Sequence, residues 1–112
     1  MRYAIPIIDG KVAAHFGRCS HFALFDIDEL AMSVVNRQML PSPGHEPGLL
    51  PAWLAERGVS VVIASGMGSR AQTLFNENRI EVLIGVLGDD PEKAILDCIR
   101  GELATGGNIC DH

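Results

Sequence analysis

Histidine and cysteine occur together in two short stretches of this chain, and both are ligands for transition metals. The first stretch is His15–Phe22, with the sequence HFGRCSHF, and the second is Cys110–His112, with the sequence CDH. Imidazole and thiolate suit iron, zinc, copper and iron–sulfur clusters. Packing alone gives no reason to place these residue types together twice. Metal or cluster binding is therefore our leading hypothesis.

His15 and Cys19 stand four residues apart across a turn that contains Gly17. If the turn brings the imidazole and the thiolate within about 4 Å of each other, one ion could bind to both. Arg18 between them would lower the pKa of the thiol and balance the charge of an anionic cluster. The alternative is structural: His15 and His21 are half-exposed residues at strand ends, and Cys19 is a packed thiol.

Other metal-binding side chains lie far from this turn in the sequence. His45 belongs to a proline-rich loop, and long loops in compact domains tend to carry function. Cys110 and His112 would close a site if the tail became ordered around a metal, whereas the alternative is an inert terminus. The chain has no Cys-x-x-Cys pair and no His-Glu-x-x-His motif, so we expect an open or transient site rather than structural zinc. We expect Cys98, on the apolar face of a predicted helix, to be a buried structural thiol.

A glycine-rich turn follows a predicted strand and opens a predicted helix. Its backbone amides could hold an anion at the helix N-terminus, and its arginine adds a cation. The turn matches neither the Walker A pattern nor a full G-x-G-x-x-G, so it gives little support for nucleotide binding. The alternative is a tight turn that lets the helix and the strand pack closely. The candidate residues are Gly66, Met67, Gly68, Ser69 and Arg70.

The bulk composition excludes several classes of protein. The chain of 112 residues predicts a single domain, residues 1–112, and 47% apolar residues support a real core. A net charge of −5 with scattered basic residues disfavours nucleic acid as a partner. No apolar stretch approaches the roughly 20 residues that cross a bilayer, and the N-terminus lacks a signal-peptide pattern. We therefore expect a soluble, cytoplasmic protein whose three cysteines form no disulfide framework.

No set of residues predicts catalysis. Asp26 and Asp28 are the only acids clustered on a predicted strand, whereas a metal-dependent nuclease needs several converging acids. Ser65 lacks the nucleophile-elbow pattern. We therefore expect a protein that is not an enzyme.

The hydrophobic pattern predicts the order β-β-β-β-α-β-α-β-α, a mixed sheet with helices packed on its faces. Pro6 lacks a ladder donor and predicts a bulge or an unpaired position. The third strand has apolar residues on both faces, so both are expected to be covered. The fourth is more polar and suits an edge. The predicted strands are Tyr3–Ile8, Lys11–Ala14, His21–Asp28, Met32–Met39, Val59–Ser65 and Ile80–Val86. The first predicted helix covers Leu49–Arg57, and the second begins at the turn Gly66–Ser69. The third begins at an Asp90 cap, and its apolar stripe continues to Leu103.

Several of these motifs together resemble the dinitrogenase iron–molybdenum cofactor biosynthesis family over nearly the whole length of the chain. The matching segments are Ile5-Pro6, His15–Arg18 with Phe22 and Asp26, His45–Gly48, Trp53-Leu54, Gly58-Val59, Gly66–Ala71 and Asn108–His112. The resemblance implies a ribonuclease-H-like α/β fold with a mixed five-stranded sheet flanked by helices, without nuclease activity. Since six strands are predicted from the pattern, we expect the short segment at Val12 to be the weakest strand or part of a turn.

The resemblance also implies a function, which is to bind, carry or protect a metal–sulfur cluster or its precursor. Carried over to matching positions, it points to His15, His45, Cys110 and His112 as ligands, to which the residue-based argument adds Cys19. The expected cargo is an iron–sulfur or iron–molybdenum-type cluster. The expected partners are proteins that donate and accept it, and the chain itself is expected to be a monomer or a weak homo-oligomer. The alternative is a regulatory or interaction domain that binds a small anion or a protein partner without a metal.

Overall fold

A computed structural model describes residues 1–44 and 48–101, and within these residues the protein has six strands and three helices. A single 3₁₀ turn, Phe16–Arg18, lies between the second and third strands. The strands are β1 (Arg2–Ile8), β2 (Lys11–Val12), β3 (His21–Asp28), β4 (Ser33–Pro41), β5 (Val59–Ile63) and β6 (Glu81–Leu83), and the helices are α1 (Leu49–Glu56), α2 (Ser69–Glu77) and α3 (Pro91–Ile99).

The strands form one mixed sheet in the order β4-β3-β1-β5-β6. β1, β5 and β6 run parallel to one another, and β3 pairs antiparallel with both β1 and β4. β2 lies off this path and pairs antiparallel with the end of β1. The expectation of five strands is therefore wrong, because the two-residue β2 adds a sixth. The mixed sheet, the edge position of β4 and the weakness of the Val12 segment are confirmed. The ribonuclease-H-like motif stays a prediction.

Pro6 occupies a gap between two partners of β1. On one side it is in register with Phe22 of β3. On the other side, pairing with β5 stops at Ala4 and pairing with β2 begins at Ile7. On this second side the carbonyl of Pro6 still accepts the N–H of Ala13 at 2.9 Å. Since proline has no N–H to donate, only the bond in the other direction is missing, so Pro6 is partly rather than fully unpaired.

Two hydrophobic cores cover the two faces of the sheet. On one face, Phe22 and Leu24 of β3 pack with Leu54 of α1 and Phe75 of α2. On the other face, Ala23, Phe25 and Ile27 pack in a cluster that contains Ile95 of α3. The alternation of side chains along a strand produces this division, and the prediction that both faces of β3 are covered is confirmed.

The helix ends follow local sequence signals, with one difference. Asp90 caps α3 because its Oδ1 accepts hydrogen bonds from the backbone N–H groups of Glu92 (3.0 Å) and Lys93 (3.4 Å). However, α3 ends at Ile99, before the predicted limit at Leu103, which lies outside the described residues. No helix in residues 1–44 and 48–101 is long and apolar enough to cross a membrane.

Candidate functional site

The turn that contains His15 and the glycine-rich turn meet at one edge of the sheet, which we call the carboxyl edge. The parallel strands β1, β5 and β6 end here, at Ile8, Ile63 and Leu83. Because β3 and β4 run in opposite directions, His21 at the start of β3 faces Pro41 at the end of β4. The carboxyl edge is therefore formed by residues 13–21, 42–44, 64–69 and 84–90.

A backbone hydrogen bond joins the two turns across the gap between β1 and β5. The N–H of Phe16 donates to the carbonyl oxygen of Gly66 at 2.8 Å. From β1 the chain first forms β2 on the same side of β1 as β5 and then leads through the 3₁₀ turn to β3, whereas from β5 it leads through α2 to β6. Such a divergence at the carboxyl ends of parallel strands is where open α/β sheets place their ligands. Two segments that lie 50 residues apart in the sequence are thus joined at the position that favours a binding site.

The 3₁₀ turn holds His15 and Arg18 at the surface. His15 precedes the turn in an extended conformation, and its carbonyl accepts the N–H of Arg18 at 3.1 Å. Both side chains are exposed, whereas Phe16 between them is buried against Phe22 and Phe75, at ring-centre distances of 5.8 and 5.2 Å. The buried phenyl ring anchors the turn, so both polar side chains are presented to solvent.

Cys19 turns inward, as a packed thiol would. Its side chain is 2% exposed and belongs to the core cluster that includes Phe16, Phe22 and Met67. Burial raises the pKa of the thiol to about 11, against hydrogen bonds to Ser42 and to the backbone that lower it. Since metals bind the thiolate, Cys19 would have to lose a strongly held proton before it could act as a ligand. Its role as a ligand stays a prediction. Cys98 is half-buried against the other core cluster.

The start of the proline-rich loop is attached to the same turn. The N–H of Ser42 donates to the carbonyl of Ser20 at 2.9 Å, and its hydroxyl interacts with the Cys19 thiol. The N–H of Ser20 in turn donates to the carbonyl of Ile7 at 2.8 Å. Sequence reasoning missed Ser42, because a serine in a loop carries no signal of its own. Its contacts depend on the register of β3 with β4.

The glycine-rich turn leads directly into α2. Met67 is 1% exposed, its carbonyl accepts the Nε2 of Gln72 at 3.0 Å, and Gly66 beside it is buried. Gly68 occupies the N-cap position and gives α2 no side-chain cap. The first N–H groups of a helix have no partner within the helix and carry partial positive charge. Ser69 and Arg70, both exposed, form the first turn of α2, so this helix end suits an anion.

Positive charge is available at the carboxyl edge although the chain as a whole is acidic. Within residues 1–44 and 48–101, neither Arg18 nor Arg70 has a carboxylate partner. The acids of the nearby loop are engaged, because Asp89 pairs with Lys11 at 3.6 Å and Asp90 caps α3. Two exposed guanidinium groups are thus available to an anionic ligand.

The described residues alone do not form a closed metal site. Among them there is no group of three or more His, Cys, Asp or Glu side chains that could hold an ion. His45, Cys110 and His112 lie outside the described residues, so their predicted role stays open. The part of the chain that the structure describes fits an anionic group, held by arginines and backbone amides, better than a bare cation.

Comparison with models of known protein families identifies the family of this chain. The model of the dinitrogenase iron-molybdenum cofactor family matches residues 1–101. The chain belongs to this family. The resemblance inferred from the motifs is thereby confirmed, and membership of the dinitrogenase iron-molybdenum cofactor family connects the chain with that cofactor in general terms.

Three proteins illustrate the similarity. MJ0580, an uncharacterized protein of Methanocaldococcus jannaschii, is 29% identical over 87 residues, which are 73% of this chain and 72% of that protein. The crystal structure of PH0822 has a TM-score of 0.87 and 33% sequence identity, and the match covers 95% of this chain and 96% of that one. The crystal structure of MJ0327, a candidate dinitrogenase of the same archaeon, has a TM-score of 0.75 at 23% identity over 96% of both chains. This last likeness shows the shared fold.

Proposed function

We propose that this member of the dinitrogenase iron-molybdenum cofactor family binds and carries an anionic metal–sulfur cluster, of iron–sulfur or iron–molybdenum type, at its carboxyl edge. The single observation that carries the proposal is the hydrogen bond from Phe16 to Gly66. It joins the turn that bears His15 and Arg18 to the turn that bears Arg70. Imidazole, guanidinium and helix amides therefore border the same gap between β1 and β5.

The charges support an anionic cargo. The side chains of Arg18 and Arg70 are exposed and free of described carboxylates, and the N-terminus of α2 adds partial positive charge. A metal–sulfur cluster carries negative charge on its sulfides. Charge-assisted hydrogen bonds to such a group are stronger than neutral ones, so this edge would favour the cluster over free metal ions.

We propose His15 as the ligand from the described residues and His45, Cys110 and His112 as the ligands that complete the set. Ser42, three residues before His45, is hydrogen-bonded to Ser20 at the carboxyl edge. Three residues span at most about 11 Å, so the covalent chain keeps His45 within reach of the site. Cys19 lines the site with a buried thiol whose raised pKa disfavours the thiolate, so we propose it as a ligand only where a cluster displaces its proton.

A carrier must release what it binds, and a site with a small number of ligands and an open rim suits that task. We accordingly propose that the protein is not an enzyme and that it exchanges the cluster with donor and acceptor proteins. We propose a monomer or a weak homo-oligomer. Its edge strand β4 ends at Pro41, and a proline on an edge strand opposes association by strand pairing.

The test is anaerobic loading with a synthetic anionic iron–molybdenum–sulfur cluster, measured by visible absorption and by bound iron per chain. We expect the wild-type protein to bind the cluster. A variant with Arg18→Gln and Arg70→Gln should bind it about tenfold or more weakly, since two charge-assisted contacts of roughly 1 kcal/mol or more each are lost. His15→Ala should weaken binding as well.

The matched control changes Arg79→Gln and Arg100→Gln together, which removes the same two positive charges from exposed positions after the C-terminal ends of α2 and α3. This control should bind the cluster as tightly as the wild type. Equal weakening by all arginine variants would indicate a general charge effect and contradict a defined site. If inorganic anions bind at this edge and the cluster does not, the metal-free alternative of an anion-binding regulatory domain is correct.

A further inference from the structure

A small groove lies between the edge strand β4 and the start of α3, on the face of the sheet against which α3 packs. Its volume is about 310 Å³, and the residues that line it include Ala23 and Phe25 of β3, Met39 of β4 and Pro91 of α3. Met39 is paired with Ala23 across the two strands, so both side chains lie on this face. Ala23 is 3% exposed and Met39 is 53% exposed. The described residues therefore leave an apolar side chain of the groove largely uncovered.

The groove lies close to the carboxyl edge. On one side of it, Arg37, which is paired with Phe25, is hydrogen-bonded through Nε to the carboxylate of Glu92 at 2.8 Å. In the other direction along β4, Met39 is followed two residues later by Pro41, the last residue of the strand. Two residues of a strand span about 7 Å. A segment anchored in the groove would thus have its next residues at the carboxyl edge.

The chain itself has an apolar side chain that can reach this groove. It continues for eleven residues beyond Gly101, the last described residue. The ten residues from Pro91 at the groove to Gly101 correspond to about 15 Å along a helix. Ile109 follows Gly101 by eight residues, which span at most about 29 Å, so it can return to the groove. Leu103, the other large apolar residue of this C-terminal segment, falls short because two residues span only about 7 Å.

The size of the groove favours a tethered side chain over a separate molecule. A volume of about 310 Å³ is at the lower limit for small-molecule sites. Burial of one isoleucine is too weak to hold a second molecule, because association must also offset lost translational and rotational freedom. A segment of the same chain has an effective concentration in the millimolar range, so a weaker contact suffices. Pro41 at the end of β4 also opposes strand pairing with a second copy.

We propose that the C-terminal segment, residues 102–112, returns along α3 and that the side chain of Ile109 occupies this groove against Met39. Cys110 and His112 follow Ile109 directly, so this anchor holds them near the carboxyl edge before a cluster arrives. Less freedom is then lost when they bind the cluster. The docking of Ile109 requires no cluster, whereas its effect on the ligands rests on the proposed function. Two measurements separate the two.

The first measurement is methyl NMR of the full metal-free chain. We expect nuclear Overhauser contacts between the methyl groups of Ile109 and Met39. Ile109→Ser should shift the Met39 methyl resonance, whereas Leu103→Ser should leave it in place. Met39→Ser should in turn move the Ile109 methyl resonances to the positions found in an unfolded chain. Val35→Ser is the control for that variant, since Val35 is a 62% exposed apolar residue of β4 that does not line the groove.

Two results would overturn the docking of Ile109. One is a Met39 methyl resonance that is identical in the wild type and in Ile109→Ser. The other is a contact that disappears on dilution, because the groove would then be filled by a second copy of the chain. A contact whose strength is independent of protein concentration supports the inference.

The second measurement is anaerobic cluster uptake by the same variants. Ile109→Ser should bind the cluster about tenfold or more weakly, since its ligands are no longer held near the site, and Leu103→Ser should bind it as the wild type does. If the Ile109 contact is present but the wild type takes up no cluster, the proposed function is wrong and the docking stands. If the wild type and Ile109→Ser bind the cluster equally tightly, the proposed function stands and the anchor does not position its ligands.

Discussion

The buried thiol of Cys19 links the candidate site to the stability of the fold. Its pKa is raised to about 11 from an ordinary value of 9.0, mainly by burial. A group with a raised pKa in the folded state holds its proton more tightly there than in the unfolded chain. The resulting contribution to stability is complete below about pH 9 and is lost as the pH rises towards 11.

We therefore expect the free energy of unfolding of the wild type to approach that of Cys19→Ala between pH 9 and pH 11. The measurement is urea unfolding of both proteins, followed by circular dichroism, at a series of pH values. Cys98, whose pKa is also raised by burial, is present in both proteins and so cancels in the comparison. A difference that stays constant over this range would mean that the Cys19 thiol titrates normally.

Arg2 and Asp26 form a partly buried ion pair. Two hydrogen bonds join the guanidinium to the carboxylate, at 2.7 and 3.1 Å, and Arg2 also donates to the carbonyl of Arg57 at 2.6 Å. The hydrogen bonds from Arg2 hold the pKa of Asp26 below its ordinary value. Because the folded state favours the ionised carboxylate, this stabilisation is present above about pH 4 and is lost as the pH falls below that value.

Asp26→Asn should accordingly lower the free energy of unfolding at pH 7 by about 1 kcal/mol, the upper end for partly exposed pairs. The gap between the variant and the wild type should close as the pH falls from about 4 to 2. Asp97→Asn is the control, since the pair of Lys93 with Asp97 spans one helical turn and such pairs contribute about 0.3–0.5 kcal/mol. Chemical unfolding across this pH range measures both, and a gap independent of pH would contradict the assigned role of Asp26.

Among the elements, the end of α1 depends on a single glycine. Gly58 has φ +76° and its N–H donates to the carbonyl of Ala55 at 3.0 Å. Since a side chain in this left-handed region costs about 1–2 kcal/mol, Gly58→Ala should reduce stability by roughly that amount. Gly17 is the matched control, because it lacks a positive φ and a Cβ there would have nothing within 4 Å.

Gly17→Ala should leave the free energy of unfolding within about 0.5 kcal/mol of the wild type. Urea unfolding of the two alanine variants makes the comparison. If both variants lose the same stability, the conformation of Gly58 is not what ends α1.

Local sequence signals predict some elements of this fold well. The alternating run His21–Asp28 coincides with β3, and the cap at Asp90 begins α3 as expected. The hydrophobic pattern predicts a strand over Ile80–Val86, whereas the structure has a strand at Glu81–Leu83 and an isolated bridge at Val86. Beyond Leu83, Gly85 and Val86 donate to the carbonyls of Ser65 and Ala64, just after β5. The length of a strand depends on the neighbouring strand with which it can pair, and the β-propensity of its residues carries no information about that neighbour.

At the scale of the whole molecule, the sequence predicts which residues could form the candidate site but not which of them are buried. The motif types identified His15, Arg18 and Arg70, and the structure places their turns at one edge. The same reasoning could not separate Cys19, which is buried, from His15, which is exposed. The burial of Cys19 is set by contacts with Phe16 and Ser42, both of which depend on tertiary structure.

The fluorescence of Trp53 can report whether a light-absorbing cluster is bound. It is the single tryptophan of the chain, it lies 5.8 Å from the ring of Phe22, and Arg57 stacks over it at 3.9 Å. The molecule measures 36 Å in its longest direction, so a light-absorbing cargo anywhere on it would lie close to the indole. Cluster uptake should therefore quench the indole fluorescence in proportion to the iron bound, whereas colourless Zn²⁺ should not quench it by energy transfer. Undiminished emission from a chain that carries iron would contradict this expectation, and a quench would let loading and release be followed in real time without a label.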